Sequence, residues 1–278
     1  MHLDLFDQYL NGCRFCPMCK LVCTVGTLTQ REALYTRGRA LTLYRVQKGF
    51  AEWTPRAVEV MYQCAVDGRC QEWCLNHYPV TDYVPAARAD IFEAGLAPEV
   101  VKALGRSLQE QGNPYNEARI DRRSLLGELG IGLPDQAETL HFVGCTAAHR
   151  VPEVARATQD LLNALRIDTT VMRDEECCGY LAYVLGMWDI AREQAQRNAQ
   201  AVAATGARRV VVTCANCYFA LTELYPRWGV QLDAEVISLS KFLAQAIAEG
   251  KFGKMGSLSK RLTYHDPCLV RLSHRDYD

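Results

Sequence analysis

The spacing of apolar residues changes near residue 138, and this change predicts two kinds of structure. Before it, the stretch 54–62 begins with Thr-Pro and carries apolar residues at helical spacing, so it is predicted to be a helix. The stretches 39–49 and 88–95 both begin with Arg-Ala and end at a glycine, which indicates two more helices. The N-terminal third is therefore expected to be a small helical domain with an internal duplication.

After residue 138, short apolar strands alternate with helices. The predicted strands are 140–143, 169–172 and 210–213. The predicted helices are one that begins at Pro152, one over 180–204 and one over 218–225. On the first, one apolar face is expected to hold Val154, Thr158, Leu161, Leu162 and Leu165. On the second, a packed stripe is expected to hold Ala191, Ala195, Ala199 and Ala203. Such alternation is typical of an α/β domain with a parallel sheet.

Glycine and proline are concentrated between residues 105 and 137, which predicts a turn-rich connection. The glycines at 127, 130 and 132 follow no predicted strand, so they do not indicate a dinucleotide-binding loop. The expected order is a helical domain over 1–104, this linker over 105–137, an α/β domain over 138–250 and a final segment over 251–278.

The thirteen cysteines are grouped at spacings that suit metal clusters. The first run is Cys13, Cys16, Cys19 and Cys23. Its C-x2-C-x2-C-x3-C spacing resembles that of bacterial ferredoxins, in which the fourth cysteine ligates the neighbouring cluster. A second run with the same spacing is Cys64, Asp67, Cys70 and Cys74. The resemblance implies two 4Fe–4S clusters with crossed ligands: Cys13, Cys16, Cys19 and Cys74 for cluster 1, and Cys23, Cys64, Cys70 and Asp67 for cluster 2.

Asp67 stands where the pattern has a cysteine, and it has two interpretations. A carboxylate is a harder ligand than a thiolate and binds iron less tightly. Asp67 is either the ligand of an exchangeable fourth iron or a solvated loop residue beside a 3Fe–4S cluster.

Five more cysteines lie where the predicted strands end, or close to it: Cys145, Cys177, Cys178, Cys214 and Cys217. Ligands commonly bind at this edge of a parallel sheet. A zinc site or a cubane cluster takes four protein ligands, whereas a larger cluster would use all five.

The order Gly144-Cys145, Cys177-Cys178-Gly179 and Cys214-x2-Cys217 resembles the cysteine-rich CCG domain. This domain occurs in heterodisulfide reductase, above all in its fused iron–sulfur subunit, and in the iron–sulfur subunits of glycolate oxidase, lactate utilisation and anaerobic glycerol-3-phosphate dehydrogenase. The resemblance implies a noncubane 4Fe–4S cluster held by the five cysteines, with zinc as the alternative occupant.

The same family normally carries two CCG repeats. Residues 264–268 repeat the position of residues 142–145, and Cys268 lies 123 residues after Cys145. The partners of Cys268 would fall beyond residue 278, so 251–278 is expected to be the start of an incomplete second repeat. The chain is then either a fragment or a naturally shortened homologue.

Composition narrows the functional classes. The chain has 278 residues, of which 49% are hydrophobic and 23% are charged, and its net charge is −1. It lacks the basic excess that nucleic-acid binding uses and any apolar run of roughly 18 residues, the length of a membrane span. The N-terminus does not resemble a signal peptide. A cytoplasmic location with reduced thiols is therefore expected, with peripheral contact at the inner membrane only through a partner.

Together these features predict an iron–sulfur subunit of a cytoplasmic oxidoreductase, of the heterodisulfide reductase or the 2-hydroxy-acid or glycerol-3-phosphate dehydrogenase type. Its expected partner is a flavoprotein dehydrogenase, and its CCG cluster would face a quinone, a disulfide or another carrier. No catalytic residue is predicted. The competing hypothesis is a scaffold or regulator in which zinc bound to the same thiolates contributes folding energy alone.

Overall fold

The computed structural model describes residues 1–252, 256 and 259–270. They form two compact units. The first, termed the helical unit, comprises Met1–Gly105 together with Leu181–Trp188. The second, termed the sheet unit, comprises Arg106–Tyr180 and the described residues from Asp189 onward. The combination of helices with a small parallel sheet agrees with the predicted fold class at that level.

Seven helices span the first 111 residues. They are α1 (Asp7–Gly12), α2 (Thr24–Thr29), α3 (Thr36–Gln47), α4 (Pro55–Tyr62), α5 (Arg69–Glu72), α6 (Val80–Glu93) and α7 (Glu99–Gln111). Short 3-10 helices cover His2–Phe6, Met18–Leu21 and Glu32–Leu34.

Helix α4 forms as predicted, because the Thr54 side chain accepts a hydrogen bond from the Ala57 N–H and Pro55 occupies the first turn. The predicted starts of the other two helices were wrong. Helices α3 and α6 begin upstream, so Arg39 and Arg88 lie inside them, where both side chains are buried. Each guanidinium donates to backbone carbonyls: Arg39 Nε to Val60 O at 3.0 Å, and Arg88 Nη2 to Cys64 O at 2.7 Å. These hydrogen bonds offset the free-energy cost of burying the two charged guanidinium groups.

The remaining elements follow in chain order. They are α8 (Arg122–Glu128), β1 (Thr139–Phe142), α9 (Cys145–His149), α10 (Pro152–Ala164), β2 (Thr169–Thr170), α11 (Tyr180–Val184), α12 (Trp188–Ala204), β3 (Arg209–Val212), α13 (Ala215–Phe219), a π-helical turn (Ala220–Leu224), α14 (Tyr225–Arg227), β4 (Glu235–Ser238) and α15 (Leu239–Ala248).

The four strands form one parallel sheet in the order β2-β1-β3-β4. Leu140 of β1 pairs with Val210 of β3, which in turn pairs with Val236 of β4. The central strands β1 and β3 are buried except at Arg209, so their carboxyl ends lie side by side at one edge of the sheet. Strand β4 was not predicted from the sequence, and its residues are mostly exposed or half-buried.

Two helix predictions need correction. Val154 and Leu161 on α10 are exposed, whereas Thr158, Leu162 and Leu165 of the predicted face are buried, as are Ala155 and Gln159. The predicted helix over 180–204 is interrupted after α11 at Gly186, whose φ is +90°. A Cβ there would lie 2.3 Å from the Arg88 carbonyl carbon, so only glycine fits. Of the predicted alanine stripe, Ala191 and Ala195 are buried, whereas Ala203 is exposed.

The stretch expected to be a turn-rich connection contains regular structure. It holds the end of α7 and all of α8, which Asp121 caps by accepting hydrogen bonds from the Arg123 and Ser124 N–H groups. The domain limits at 104, 137 and 250 stay predictions, and residues 271–278 of the final segment lie outside the described part. Within the described residues, none of the helices has the length and apolarity needed to span a bilayer.

Candidate metal centres

Four cysteines from both ferredoxin-like runs surround one cavity in the helical unit. Cys13, Cys16, Cys19 and Cys74 line this space of about 260 Å³, together with Cys70. Cys13 directly follows α1, and Cys19 lies on the 3-10 helix Met18–Leu21. This space, the first cavity, therefore gathers the four cysteines of the implied cluster 1.

Cysteine thiols around the first cavity are poorly solvated. Burial raises the pKa of Cys19 to about 11 and that of Cys70 to about 12, so both thiols are protonated at neutral pH. Because cysteine binds metals as a thiolate, metal binding here must displace protons.

A second group lines a much smaller space. Cys23, Cys64, Asp67 and Cys70 border a cavity of about 10 Å³, termed the second cavity. Cys23 and Cys70 are buried, and the Gly26 N–H donates to the Cys23 sulfur at 3.4 Å. These are the four residues of the implied cluster 2.

Asp67 is half-buried and already engaged in hydrogen bonds. Its Oδ2 accepts from the Thr24 hydroxyl at 2.6 Å, and its Oδ1 accepts from the Arg69 N–H at 3.2 Å. Each carboxylate oxygen can accept more than one bond, so these contacts orient Asp67 and leave lone pairs for a metal.

The two runs share an unusual backbone feature. Phe15 and Val66 have φ values of +51° and +53°, and each lies two residues after the first cysteine of its run. Positive φ is strained for any residue other than glycine and is a marked outlier for β-branched valine. The same strained turn in both runs puts Asp67 at the position that Cys16 has in the first run.

Five of the six other cysteines converge at the edge of the sheet where β1 and β3 end. Cys145 opens α9 directly after β1, Cys214 precedes α13 after β3, and Cys217 lies within α13. Cys177 and Cys178 come from the loop before α11. Each thiol is close enough to the next to shift its pKa, in the order Cys145, Cys177, Cys178, Cys217 and Cys214.

This five-cysteine site is crowded with sulfur. The hydrogen bond with Cys177 lowers the pKa of Cys178 to about 6, and the bond with Cys217 lowers the pKa of Cys214 to about 6. The neighbouring thiols Cys178 and Cys214 raise the pKa of Cys217. A thiol carries one proton, so Cys217 cannot donate to both neighbours at once. A cation bound among the sulfurs would satisfy all of them.

Two glycines allow this convergence. Gly144 has a φ of +83°, and a Cβ on it would lie 3.6 Å from the Cys217 sulfur. Gly179 has a φ of +86°, and a Cβ on it would lie 2.9 Å from the Ala191 carbonyl oxygen. The glycine of the Cys-Cys-Gly sequence is therefore required by both its backbone conformation and the closeness of α12.

A buried ion pair, not predicted from the sequence, ties two cysteine-bearing segments together. The Glu175 carboxylate accepts from the Val143 N–H at 2.8 Å and the Gly144 N–H at 2.7 Å. It also pairs with Arg122 at 3.3 Å, and neither side chain is more than 2% exposed. Burial raises the pKa of Glu175, while Arg122 and the two N–H groups oppose that shift. Glu175 thus holds the turn before Cys145 against the segment that carries Cys177.

Neighbouring polar contacts fix the rest of that segment. The Asn198 amide donates to the Cys177 carbonyl at 3.1 Å, and the Cys177 N–H donates to the Gly112 carbonyl at 2.8 Å. Glu176, which is buried, accepts from Arg119 at 2.6 Å and from Arg197 at 2.9 Å. The two glutamates directly before Cys177 are visible in the sequence as a pair. The arginines that they contact lie far away along the chain, so the sequence does not reveal these ion pairs.

A cavity lies beside the five-cysteine site. Cys145, Cys214 and Cys217 line this space of about 230 Å³, whereas Cys177 and Cys178 do not. A zinc ion or a cubane cluster takes four protein ligands, so the number of thiols, and not the cavity, favours a larger cluster.

Cys268 is placed differently. It opens a short helical turn over 268–270 and is half-buried. Among the described residues, the series of linked thiols ends at Cys145 and Cys214 and does not include Cys268.

Comparison with known proteins identifies the class of this site. Residues 139–222 match the model of the cysteine-rich domain family CCG, and they include all five cysteines. The resemblance to CCG-domain iron–sulfur proteins is thereby confirmed.

The relatives include a quinone oxidoreductase and subunits of a reductase and of a dehydrogenase. One subunit of the dihydromethanophenazine:CoB–CoM heterodisulfide reductase of Methanosarcina acetivorans is 32% identical over 75% of this chain and 52% of its own length. The EtfAB:quinone oxidoreductase of Syntrophomonas wolfei is 27% identical over 79% of this chain and 32% of its own length. One subunit of the anaerobic glycerol-3-phosphate dehydrogenase of Escherichia coli is 28% identical over 46% of this chain and 34% of its own length.

The chain spans about half the length of the heterodisulfide reductase subunit and about a third of the other two relatives. No solved structure matches it significantly. The relatives support an electron-transfer role within an oxidoreductase.

Proposed function

We propose that this chain is the electron-transfer subunit of an oxidoreductase complex and binds three iron–sulfur clusters. The convergence of five cysteines at the ends of β1 and β3 carries this proposal, because zinc or a cubane would leave one of them unused. The clusters would supply one-electron redox chemistry.

The proposed ligands follow the three cysteine groups. Cluster 1 would be bound by Cys13, Cys16, Cys19 and Cys74, and cluster 2 by Cys23, Cys64, Cys70 and Asp67. The noncubane cluster would be bound by Cys145, Cys177, Cys178, Cys214 and Cys217. The first cavity, which cysteines from both runs border, supports the crossed arrangement for cluster 1. The second cavity, at about 10 Å³, has the space of a single water, so the proposal for cluster 2 rests on the spacing of its residues and on their shared position around that cavity.

The residues around these cysteines would hold the ligands in place and limit water. Glu175 and Asn198 fix the backbone on either side of Cys177 through the bonds described above. Burial of Cys177, Cys178 and Cys217 keeps solvent from one side of the site. Hydrogen bonding and exposure of this kind set the potentials of iron–sulfur clusters.

The proposed route begins with a flavoprotein dehydrogenase. Electrons from its flavin would pass through the two clusters of the helical unit to the five-cysteine site and then to a quinone, a disulfide or a further carrier. The names of the relatives support a dehydrogenase as the donor and a quinone or a disulfide as the acceptor: one belongs to a dehydrogenase, one is a quinone oxidoreductase and one belongs to a heterodisulfide reductase.

Anaerobic purification followed by iron, sulfide and zinc analysis tests this function. We expect a brown protein with a broad visible absorption that bleaches on reduction, and with iron and sulfide in equal amounts. A colourless protein that contains zinc and no sulfide would contradict the proposal and establish the scaffold alternative.

A further inference from the structure

The first cavity opens onto the surface of the helical unit, whereas the second is almost closed. Cys16, Arg14 and Asn76 border the first cavity and are exposed. Leu75 also borders it, with 81% of its side chain exposed. The second cavity is bordered by buried Cys23 and Cys70 and measures about 10 Å³. Of the two cavities of the helical unit, the first therefore offers the shorter approach to an electron from outside the chain.

Charge around this opening is positive. The residues that line the first cavity include Arg14 and Arg37 and no carboxylate. Nearby, Glu32 pairs with both Arg37 and Lys20, so one negative charge is shared by two positive ones. Arg14 donates to the Asn11 carbonyl at 3.3 Å, a contact that leaves its charge uncompensated. Such a surface attracts an acidic partner and raises its association rate.

Large apolar side chains accompany this charge. Trp73 and Leu75, on either side of Cys74, are 50% and 81% exposed. Leu21, two residues after Cys19, is 68% exposed. Exposed tryptophan, leucine and arginine together are typical of the core of a protein interface.

We propose that the rim of the first cavity, defined as Arg14, Cys16, Leu75 and Asn76, forms together with the exposed Trp73 beside Cys74 the docking surface for an acidic flavoprotein. The inference rests on the proposed function and adds to it the place and the chemistry of the partner. One electron leaves the reduced flavin of the partner and one electron is gained at the site of Cys13, Cys16, Cys19 and Cys74. No covalent bond forms or breaks.

Direct binding tests the surface without relying on electron transfer. Flavodoxin, a small acidic flavoprotein, serves as the probe, and its affinity for the full chain is measured at ~20 mM and ~500 mM salt, where charges are weakly and strongly screened. We expect Arg14→Glu to weaken binding about tenfold at low salt, and Asn76→Lys to tighten it several-fold. Structural damage would not produce tighter binding.

Arg56→Glu is the matched control. Arg56 is exposed on α4 of the same unit and does not border the first cavity. The same charge reversal there should leave the affinity within about twofold. Equal effects of Arg14→Glu and Arg56→Glu, binding that does not depend on salt, or no response to Asn76→Lys would overturn the docking surface.

A rate measurement separates this inference from the proposed function. Photoreduced flavodoxin and photoreduced deazaflavin, a small molecule that needs no docking surface, are each mixed with the oxidised protein. Arg14→Glu should slow reduction by flavodoxin about tenfold and leave reduction by deazaflavin unchanged. Absence of reducible iron in the wild type would defeat the proposed function, whereas equal slowing with both reductants would defeat the docking surface alone.

Discussion

At the scale of single residues, the crossed ligand pattern rests on Cys74 and Cys23. Cys74 borders the first cavity with three cysteines of the other run and with Cys70 of its own run, and Cys23 borders the second cavity with Cys64, Asp67 and Cys70. The crossed ligands follow from the resemblance of the spacing to that of ferredoxins, and their assignment stays a prediction.

Replacing Cys74 should therefore damage the cluster of the other run. In Cys74→Ser we expect loss of about half the paramagnetic signal of the helical unit, from the cluster bound by Cys13, Cys16 and Cys19, because its fourth thiolate is gone. Cys23→Ser is the matched control and should remove the other signal. Electron paramagnetic resonance of the reduced proteins would refute the pairing if Cys74→Ser abolished only the cluster bound by Cys64 and Cys70.

Asp67 is the residue at which the two runs differ chemically. It follows the strained Val66 turn as Cys16 follows Phe15, and two hydrogen bonds orient its carboxylate. That strain was not predictable from the sequence, since valine rarely adopts positive φ.

Iron bound by Asp67 should be lost first on oxidation, because a carboxylate binds iron less tightly than a thiolate. Mild oxidation of the wild type should yield a 3Fe–4S signal from cluster 2 before cluster 1 changes, and Asp67→Cys should suppress it. Asp67→Asn is a control that keeps the shape but weakens the ligand, so the signal should persist. Equal lability of both clusters in the wild type would contradict the role of Asp67 as the ligand of an exchangeable iron.

At the scale of elements, the five-cysteine site depends on how α8, β1 and the loop before α11 are joined. The strand–cysteine–helix order of β1 with α9 and of β3 with α13 was predictable, because apolar runs directly precede Cys145 and Cys214. The Glu175–Arg122 pair was not, because 53 residues separate its partners. Strand β4 was not predicted because few of its residues are buried. The break at Gly186 was not predicted because it depends on the close approach of the Arg88 backbone.

Removal of the Glu175 carboxylate should open the turn before Cys145. Glu175→Ala leaves Arg122 buried without its partner, a change that typically costs about 3–5 kcal/mol. We expect lower stability in denaturant unfolding and iron loss confined to the five-cysteine site. Glu193→Ala is the control, because Glu193 is 54% exposed on α12 and its loss should change stability by less than about 0.5 kcal/mol. Unchanged iron content in a folded Glu175→Ala protein would show that the contacts of Glu175 do not position Cys145.

At the scale of the whole molecule, two compact units carry separate groups of cysteines. The helical unit holds the seven cysteines of the two runs, and the sheet unit holds the five-cysteine site and Cys268. A variant that loses the site of one unit should therefore retain the clusters of the other.

Iron content per chain, measured on anaerobically purified Cys178→Ser and Cys268→Ser beside the wild type, tests the central claim most directly. Two cubanes and one four-iron cluster at the five-cysteine site predict about twelve irons in the wild type. Cys178→Ser should fall to about eight, with the paramagnetic signals of the helical unit unchanged, and Cys268→Ser should keep about twelve. The account is contradicted if Cys178→Ser loses no iron, or if Cys268→Ser loses as much as Cys178→Ser does.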